Sequence, residues 1–111
     1  MSINCLSLLS EKLFKGTLLI NAMTIYCISY DLIAKKDYKT LIEKIQSYGA
    51  WAHAEESLWF IESEKTAAEI RDELKSLMDN DDKIIVIRVT LPWASLNLSK
   101  AVADWLKGKN F

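Results

Sequence analysis

Asp31 is the residue of this chain whose type and position are best suited to chemistry. It stands near the end of residues 24–32, a run of aromatic and β-branched residues that predicts a β-strand. Side chains alternate across a strand, so Asp31 shares one face with Ser29 and Cys27. A carboxylate at the end of a rigid strand can hold a divalent metal ion or accept a proton at the solvent boundary. The alternative is structural, because Asp also favours turns.

Three lysines that follow this strand form the candidate patch for nucleic-acid phosphates: Lys35, Lys36 and Lys39. They are equally consistent with solvated lysines at the start of a helix. His53 is the only histidine and would be useful as an acid or base near neutral pH. A single histidine in a strand lies more often at a surface or an interface, so we regard His53 as an auxiliary candidate.

Other metal-binding patterns are not supported. The acidic run 79–82 lacks the glycine and the closing glutamate of an EF-hand loop, so it is interpreted as a solvated turn. The two cysteines, Cys5 and Cys27, form neither a close pair nor a cluster with histidine. This spacing excludes a cysteine-rich zinc site and gives no sign of a disulfide framework.

Composition limits the class of partner. The 111 residues make one domain, and the formal net charge of −1 gives no overall basic excess. A protein held to nucleic acid mainly through phosphates would carry such an excess, so any nucleic-acid site must be a local patch or a brief contact. The tryptophans could stack on bases, but we expect them to pack in the core and in a dimer interface. They are Trp51, Trp59, Trp93 and Trp105.

The first 22 residues are predicted to be an extension of a domain that covers 23–111. Met23 stands directly before the first strand and offers an alternative start, so we expect residues 1–22 to be dispensable, non-native or disordered. Charged residues from Glu11 to Lys15 interrupt their apolar pattern, and no run approaches the roughly 20 residues that cross a bilayer. The start also lacks the basic region of a secretory signal. We therefore expect a cytoplasmic protein without a membrane partner.

Regular elements follow Met23 in the order β-α-β-β-α-β, and a short helix comes last. After the first strand, the predicted elements are a helix at 37–48, a hairpin of strands 50–54 and 57–63, a helix at 65–78, a strand at 83–91 and a helix at 98–108. Two right-handed crossovers on one antiparallel sheet make the α+β, ferredoxin-like sandwich of four strands. Both crossover helices then lie on one face, and a homodimer is the simplest cover for the other.

These residues resemble the virulence-associated protein D family and the related small CRISPR adaptation nuclease, the second Cas protein. Residues 26–32 are similar to the first strand of both groups, which ends in an aromatic-Asp-aliphatic triplet. Gly49 and the hairpin at 57–60 resemble the glycine and the hairpin that follow in both. Residues 87–89 with Trp93 resemble the last strand and the next aromatic residue of the virulence-associated group. The resemblance covers about residues 23–107.

The resemblance implies a homodimer in which the first-strand aspartates of two protomers approach each other. In family members described as nucleases, this pair is taken to hold a divalent metal ion and to cleave phosphodiesters, and Asp31 is the matching position. The chain departs from the family pattern in two ways. Basic residues often follow the aspartate directly in nuclease members, whereas Lys35 and Lys36 come later here. Nuclease members also often carry basic residues in the second strand, where this chain has His53.

Two functions remain open at this stage. The first is a Mg²⁺-dependent endonuclease, on RNA in preference to DNA, that works as a homodimer. Mg²⁺ keeps several waters, so one or two carboxylates suffice, and only a dimer supplies two copies of Asp31. Ser29 shares the face of Asp31 and could orient a metal-bound water, or could simply pack at an interface. The second function is a non-catalytic dimeric module of the same fold that binds nucleic acid or protein.

Overall fold

The first predicted strand, at residues 24–32, forms one of the two inner strands of the sheet. The computed structural model describes residues 23–33 and 38–111, so the predicted extension at 1–22 lies outside the described residues. The elements are β1 Thr24–Asp31, α1 Lys39–Gln46, β2 Trp51–Glu55, β3 Leu58–Ser63, α2 Ala67–Lys75, β4 Lys83–Arg88 and α3 Lys100–Lys107. All strand pairs are antiparallel, in the order β2-β3-β1-β4. The predicted ferredoxin-like α+β fold is confirmed.

One face of the sheet carries the main core, as predicted. Tyr26, Ile28 and Tyr30 point from β1 toward α1 and α2 and are buried there. Trp59 of β3 is 2% exposed, and its Nε1 donates a hydrogen bond to the Tyr30 hydroxyl over 3.0 Å. Full burial of one large apolar side chain contributes about 1.5–3 kcal/mol, so this face dominates the stability of the domain.

The helices are shorter than the apolar spacing suggested. Helix α2 begins only after Thr66, whose Oγ1 accepts a hydrogen bond from the Glu69 amide over 3.1 Å. The Glu69 carboxylate in turn accepts from the Thr66 amide over 2.8 Å. This capping box places the start of the helix two residues after the predicted one, because it satisfies amides that have no partner within the helix. Ser99 caps α3 in a similar way, through the amide of Val102.

Glu73 joins the two helices that cover the main core. Its carboxylate accepts hydrogen bonds from the Tyr48 hydroxyl over 2.6 Å and from Lys65 Nζ over 2.7 Å, and Lys44 Nζ lies 3.5 Å away. The hydrogen bonds from Lys65 and Tyr48 lower the pKa of Glu73 to about 2. Burial and the same carboxylate raise the pKa of Tyr48. The network therefore stabilises the packing of α1 against α2 while Glu73 is ionised.

The acidic turn at 79–82 has a structural role that its interpretation as a solvated turn missed. Asp82 accepts hydrogen bonds from the amide of Ile33 over 2.9 Å and from the amide of Asp79 over 2.8 Å. The Tyr38 hydroxyl also donates to it, over 3.1 Å. One carboxylate thus ties the end of β1 and the start of α1 to the turn before β4. Position in a turn alone does not reveal such long-range partners.

The second face of the sheet is only partly covered. Helix α3 packs on the β2–β3 side, where Ala52, Val102 and Leu106 are buried and Phe60 and Trp93 pack against them. The β1–β4 side, which we call the open face, presents Cys27, Ser29, Asp31, Lys83, Ile85 and Ile87. The apolar run in β4 is typical of a strand that is covered on both faces. Within one protomer only Ile84 and Val86 pack against the core, because α3 lies on the other half of the sheet.

Within the described part of the chain, no helix is long and apolar enough to cross a membrane.

Candidate functional site

Asp31 is the last residue of β1, and its side chain is exposed on the open face. Its neighbour on the same face, Ser29, is half-buried and lies two residues back along the strand. The core residue Tyr30, between them, points the other way. Pairing with β4 holds the main chain of Asp31 in place, and the carboxylate is accessible to solvent.

Lys83 stands directly across from Asp31 in β4. Opposite charges facing each other across an antiparallel pair contribute about 0.2–1 kcal/mol. Lys83 therefore supplies a positive charge beside Asp31 that the sequence does not predict. The signal for it was absent from the sequence alone, because the β1–β4 register decides which residue of β4 faces Asp31.

Apolar side chains make up most of the remaining open face. Ile85 and Ile87 are 54% and 51% exposed, next to Ser29 and Cys27 of β1. Cys27 is a half-buried free cysteine. Its burial, together with the negative charge of Glu55, raises the pKa of its thiol, so the thiol stays protonated near neutral pH. This apolar surface borders Asp31 directly.

His53 does not join Asp31 within a protomer. It lies in the edge strand β2 directly across from Trp59, and its ring stacks on that indole with 3.8 Å between ring centroids and 5° between planes. Its Nε2 lies 3.2 Å from the Glu56 carbonyl. Because Trp59 belongs to the main core, His53 is on the helix side of the sheet and Asp31 is on the opposite side.

The predicted phosphate patch can be placed only in part. Lys35 and Lys36 lie outside the described residues. Lys39 is the exposed first residue of α1, and its Nζ lies 3.9 Å from the Glu43 carboxylate on the next turn. Two long, exposed side chains at this distance interact weakly.

A cavity of about 220 Å³ lies on the same side of the sheet as Asp31, beneath the segment that leads from β4 to α3. Its walls include Ala54, Leu58, Phe60, Trp93, Leu98 and Leu106. Of the described residues that line it, only Glu55 is ionisable. The sequence predicts Glu55 in the turn between strands 50–54 and 57–63, and it predicts no cavity there.

The described residues contain no group of three or more His, Cys, Asp or Glu side chains that could hold a metal ion. Within one protomer, the divalent-metal ligand suggested by the sequence is therefore Asp31 alone. The chain matches no protein-family model, and no solved structure matches it. The function is accordingly inferred from the geometry around Asp31.

Proposed function

We propose that the protein is a homodimeric, Mg²⁺-dependent endoribonuclease in which each protomer contributes Asp31. The observation that carries this proposal is the position of Asp31: an exposed carboxylate on a rigid strand end, bordering an uncovered apolar sheet face. An aspartate that served only to begin a turn would not need to lie beside an uncovered apolar face. The preference for RNA follows the resemblance described above.

The open face gives the reason for dimerisation. Ile85 and Ile87 expose about half of their surface side by side, and covering them with a second copy removes apolar surface from water. A twofold interface uses the same patch on both protomers. An axis close to the end of β1 then brings the two Asp31 carboxylates together.

The residues near Asp31 fit a hard divalent cation once two protomers are present. Two carboxylates suffice for Mg²⁺, which keeps several of its waters. When bound, the cation neutralises phosphate charge and lowers the pKa of a coordinated water. Asp31 would hold it, Ser29 would orient a water through its hydroxyl, and Lys83 would offer a positive charge to a phosphate oxygen.

A second candidate function is a non-catalytic dimeric module that binds nucleic acid or protein. It is favoured by one specific observation, namely that Lys83 faces Asp31 across the strand pair. A lysine in this position can neutralise Asp31 without a metal ion, within the protomer or across a dimer. The aspartate would then help to fix the register of β1 and β4.

The deciding experiment is cleavage of a mixed set of single-stranded and double-stranded RNA and DNA with Mg²⁺ or with EDTA. Under the proposal, the wild type cleaves RNA only with Mg²⁺, and Asp31→Asn reduces cleavage to background because the metal ligand is lost. Asp81→Asn is the matched control, since Asp81 is an exposed aspartate in the turn before β4. No Mg²⁺-dependent cleavage by the wild type, or full cleavage by Asp31→Asn, contradicts the nuclease and leaves the non-catalytic module.

A further inference from the structure

The Glu55 cavity shares the sheet face of the candidate metal site. Leu58, one of its walls, stands directly across from Ser29, and Glu55 stands across from Leu58 on the next strand. Two strand spacings separate Ser29 from Glu55, roughly 10 Å between their backbones. Asp31 lies one same-face position beyond Ser29. When a phosphate of an RNA strand is bound at Asp31, the base of a neighbouring nucleotide can therefore reach the cavity.

A local irregularity places Glu55, an exposed residue, at the rim of this cavity. The β2–β3 register shifts between His53 and Glu55, so that His53 faces Trp59 while Glu55 faces Leu58. Strict alternation would have put Glu55 on the helix side together with His53. Bulges of this kind re-aim a side chain and are frequent beside functional sites. The negative charge of Glu55 raises the pKa of the Cys27 thiol, which agrees with the position of Glu55 on the same side of the sheet as Cys27.

The cavity has the size and walls of a pocket for one base. Its volume of about 220 Å³ is below the roughly 300–1,000 Å³ of pockets that hold drug-sized molecules. Phe60 and Trp93 provide half-buried aromatic surface for stacking. Proteins that read RNA sequence do so mainly on unstacked bases, which they stack on aromatic side chains and hydrogen-bond at the base edges.

The single carboxylate selects among the bases. An ionised carboxylate only accepts hydrogen bonds, through two oxygens. On its Watson–Crick edge guanine presents a ring N–H and an amino group side by side, so both oxygens of Glu55 can be used. Cytosine and adenine present one donor beside an acceptor, and uracil presents one donor between two carbonyls, which Glu55 would repel.

We infer that the Glu55 cavity binds a guanine base of single-stranded RNA next to the phosphate held at Asp31. This inference rests on the proposed function for its location beside a phosphate. Glu55 is then the residue that determines specificity, whereas Phe60 and Trp93 stack on the base and do not distinguish it from the others.

Fluorescence anisotropy of labelled RNA hexamers, with the full chain in EDTA, tests the inference without any need for cleavage. The probes are all-uridine hexamers with uridine, guanosine or inosine at one central position. We expect the guanosine probe to bind about tenfold more tightly than the uridine probe, as one good bidentate contact allows. Inosine lacks the amino group and should lose most of this preference.

Two variants complete the test. Glu55→Gln should abolish the preference for guanosine, since an amide presents one donor and one acceptor. Glu56→Gln removes the same charge from a neighbouring exposed residue that does not line the cavity, and should keep the preference. Equal binding of the guanosine and uridine probes by the wild type, or an unchanged preference in Glu55→Gln, overturns the inference.

The result is distinguishable from failure of the nuclease proposal. A guanosine preference without Mg²⁺-dependent cleavage supports guanine binding in the cavity and refutes the nuclease. Cleavage that depends on Asp31, without a guanosine preference, supports the nuclease and refutes guanine binding in the cavity. Ala54→Leu, which fills the cavity, should remove the guanosine preference and leave the oligomeric mass unchanged. A change of mass instead would assign the cavity to the interface between two copies and overturn the inference.

Discussion

At the scale of single residues, the environment of each carboxylate separates structural from candidate functional groups. Glu73 and Asp82 accept several hydrogen bonds each and connect elements that are distant in the sequence. Asp31 is exposed at a strand end, with a lysine opposite. Glu55 is exposed at the rim of an apolar cavity, on the side of the sheet where a register shift places it. Asp31 and Glu55 are therefore the carboxylates to which we assign candidate functional roles.

Glu73 makes the stability of the domain sensitive to acid. Its folded-state pKa of about 2 lies below the ordinary value of 4.5, so the folded state binds fewer protons between these values and is stabilised above them. We predict that Glu73→Gln destabilises the fold at neutral pH by about 1 kcal/mol, since the network is partly exposed. The difference from wild type should shrink as pH falls from about 4.5 toward 2.

Urea unfolding of both proteins across this pH range measures the difference. Glu43→Gln is the control, because Glu43 pairs with Lys39 only over 3.9 Å between exposed side chains. A difference between wild type and Glu73→Gln that stays constant down to the lowest pH would show that the carboxylate charge contributes nothing. A similar effect in Glu43→Gln would show that loss of any negative charge is enough.

At the scale of elements, the hydrophobic pattern was sufficient for the sheet and the two crossover helices. Period-two alternation in β1 correctly predicted that Asp31 shares a face with Ser29 and Cys27. In the structure, Tyr26, Ile28 and Tyr30 lie on the other face, in the core. Element ends were less accurate. The predicted strand 83–91 stops at Arg88, and the backbone then turns away to carry Trp93 across the second face of the sheet.

Only those parts of the candidate site that depend on the alternation of side chains within one strand could be predicted from the sequence. Asp31 and Ser29 follow from alternation within β1. The proximity of Lys83 depends on the β1–β4 register, and the direction of Glu55 depends on a bulge that breaks the alternation. Neither is encoded in a short stretch of sequence. The same reason explains why His53, a candidate by residue type, lies on the other side of the sheet.

At the scale of the whole molecule, a half-covered sheet implies a partner surface. Helix α3 covers the β2–β3 half, and the open face beside it carries Ile85 and Ile87. An obligate interface of this kind buries on the order of 2,000 Å² or more. We predict a dimer at micromolar concentration, and a folded monomer for Ile87→Lys, because a charge at the centre of an apolar interface opposes association.

Light scattering gives the mass of each protein, and circular dichroism verifies the fold. Ala68→Lys is the matched control, since it adds the same charge on an exposed position of α2, on the helix side. A wild type that is monomeric at micromolar concentration contradicts the predicted dimer. A dimer that survives Ile87→Lys would place the interface on another surface.

Under the proposed function, two protomers build one metal site from their Asp31 carboxylates. Calorimetric titration with Mn²⁺, a carboxylate-binding substitute for Mg²⁺, measures this shared site independently of cleavage. We predict one ion per two chains for the wild type and no binding by Asp31→Asn. Without metal, that variant should be at least as stable as the wild type, because it removes repulsion between the paired carboxylates. One ion per chain, or binding that persists in Asp31→Asn, would contradict the shared site.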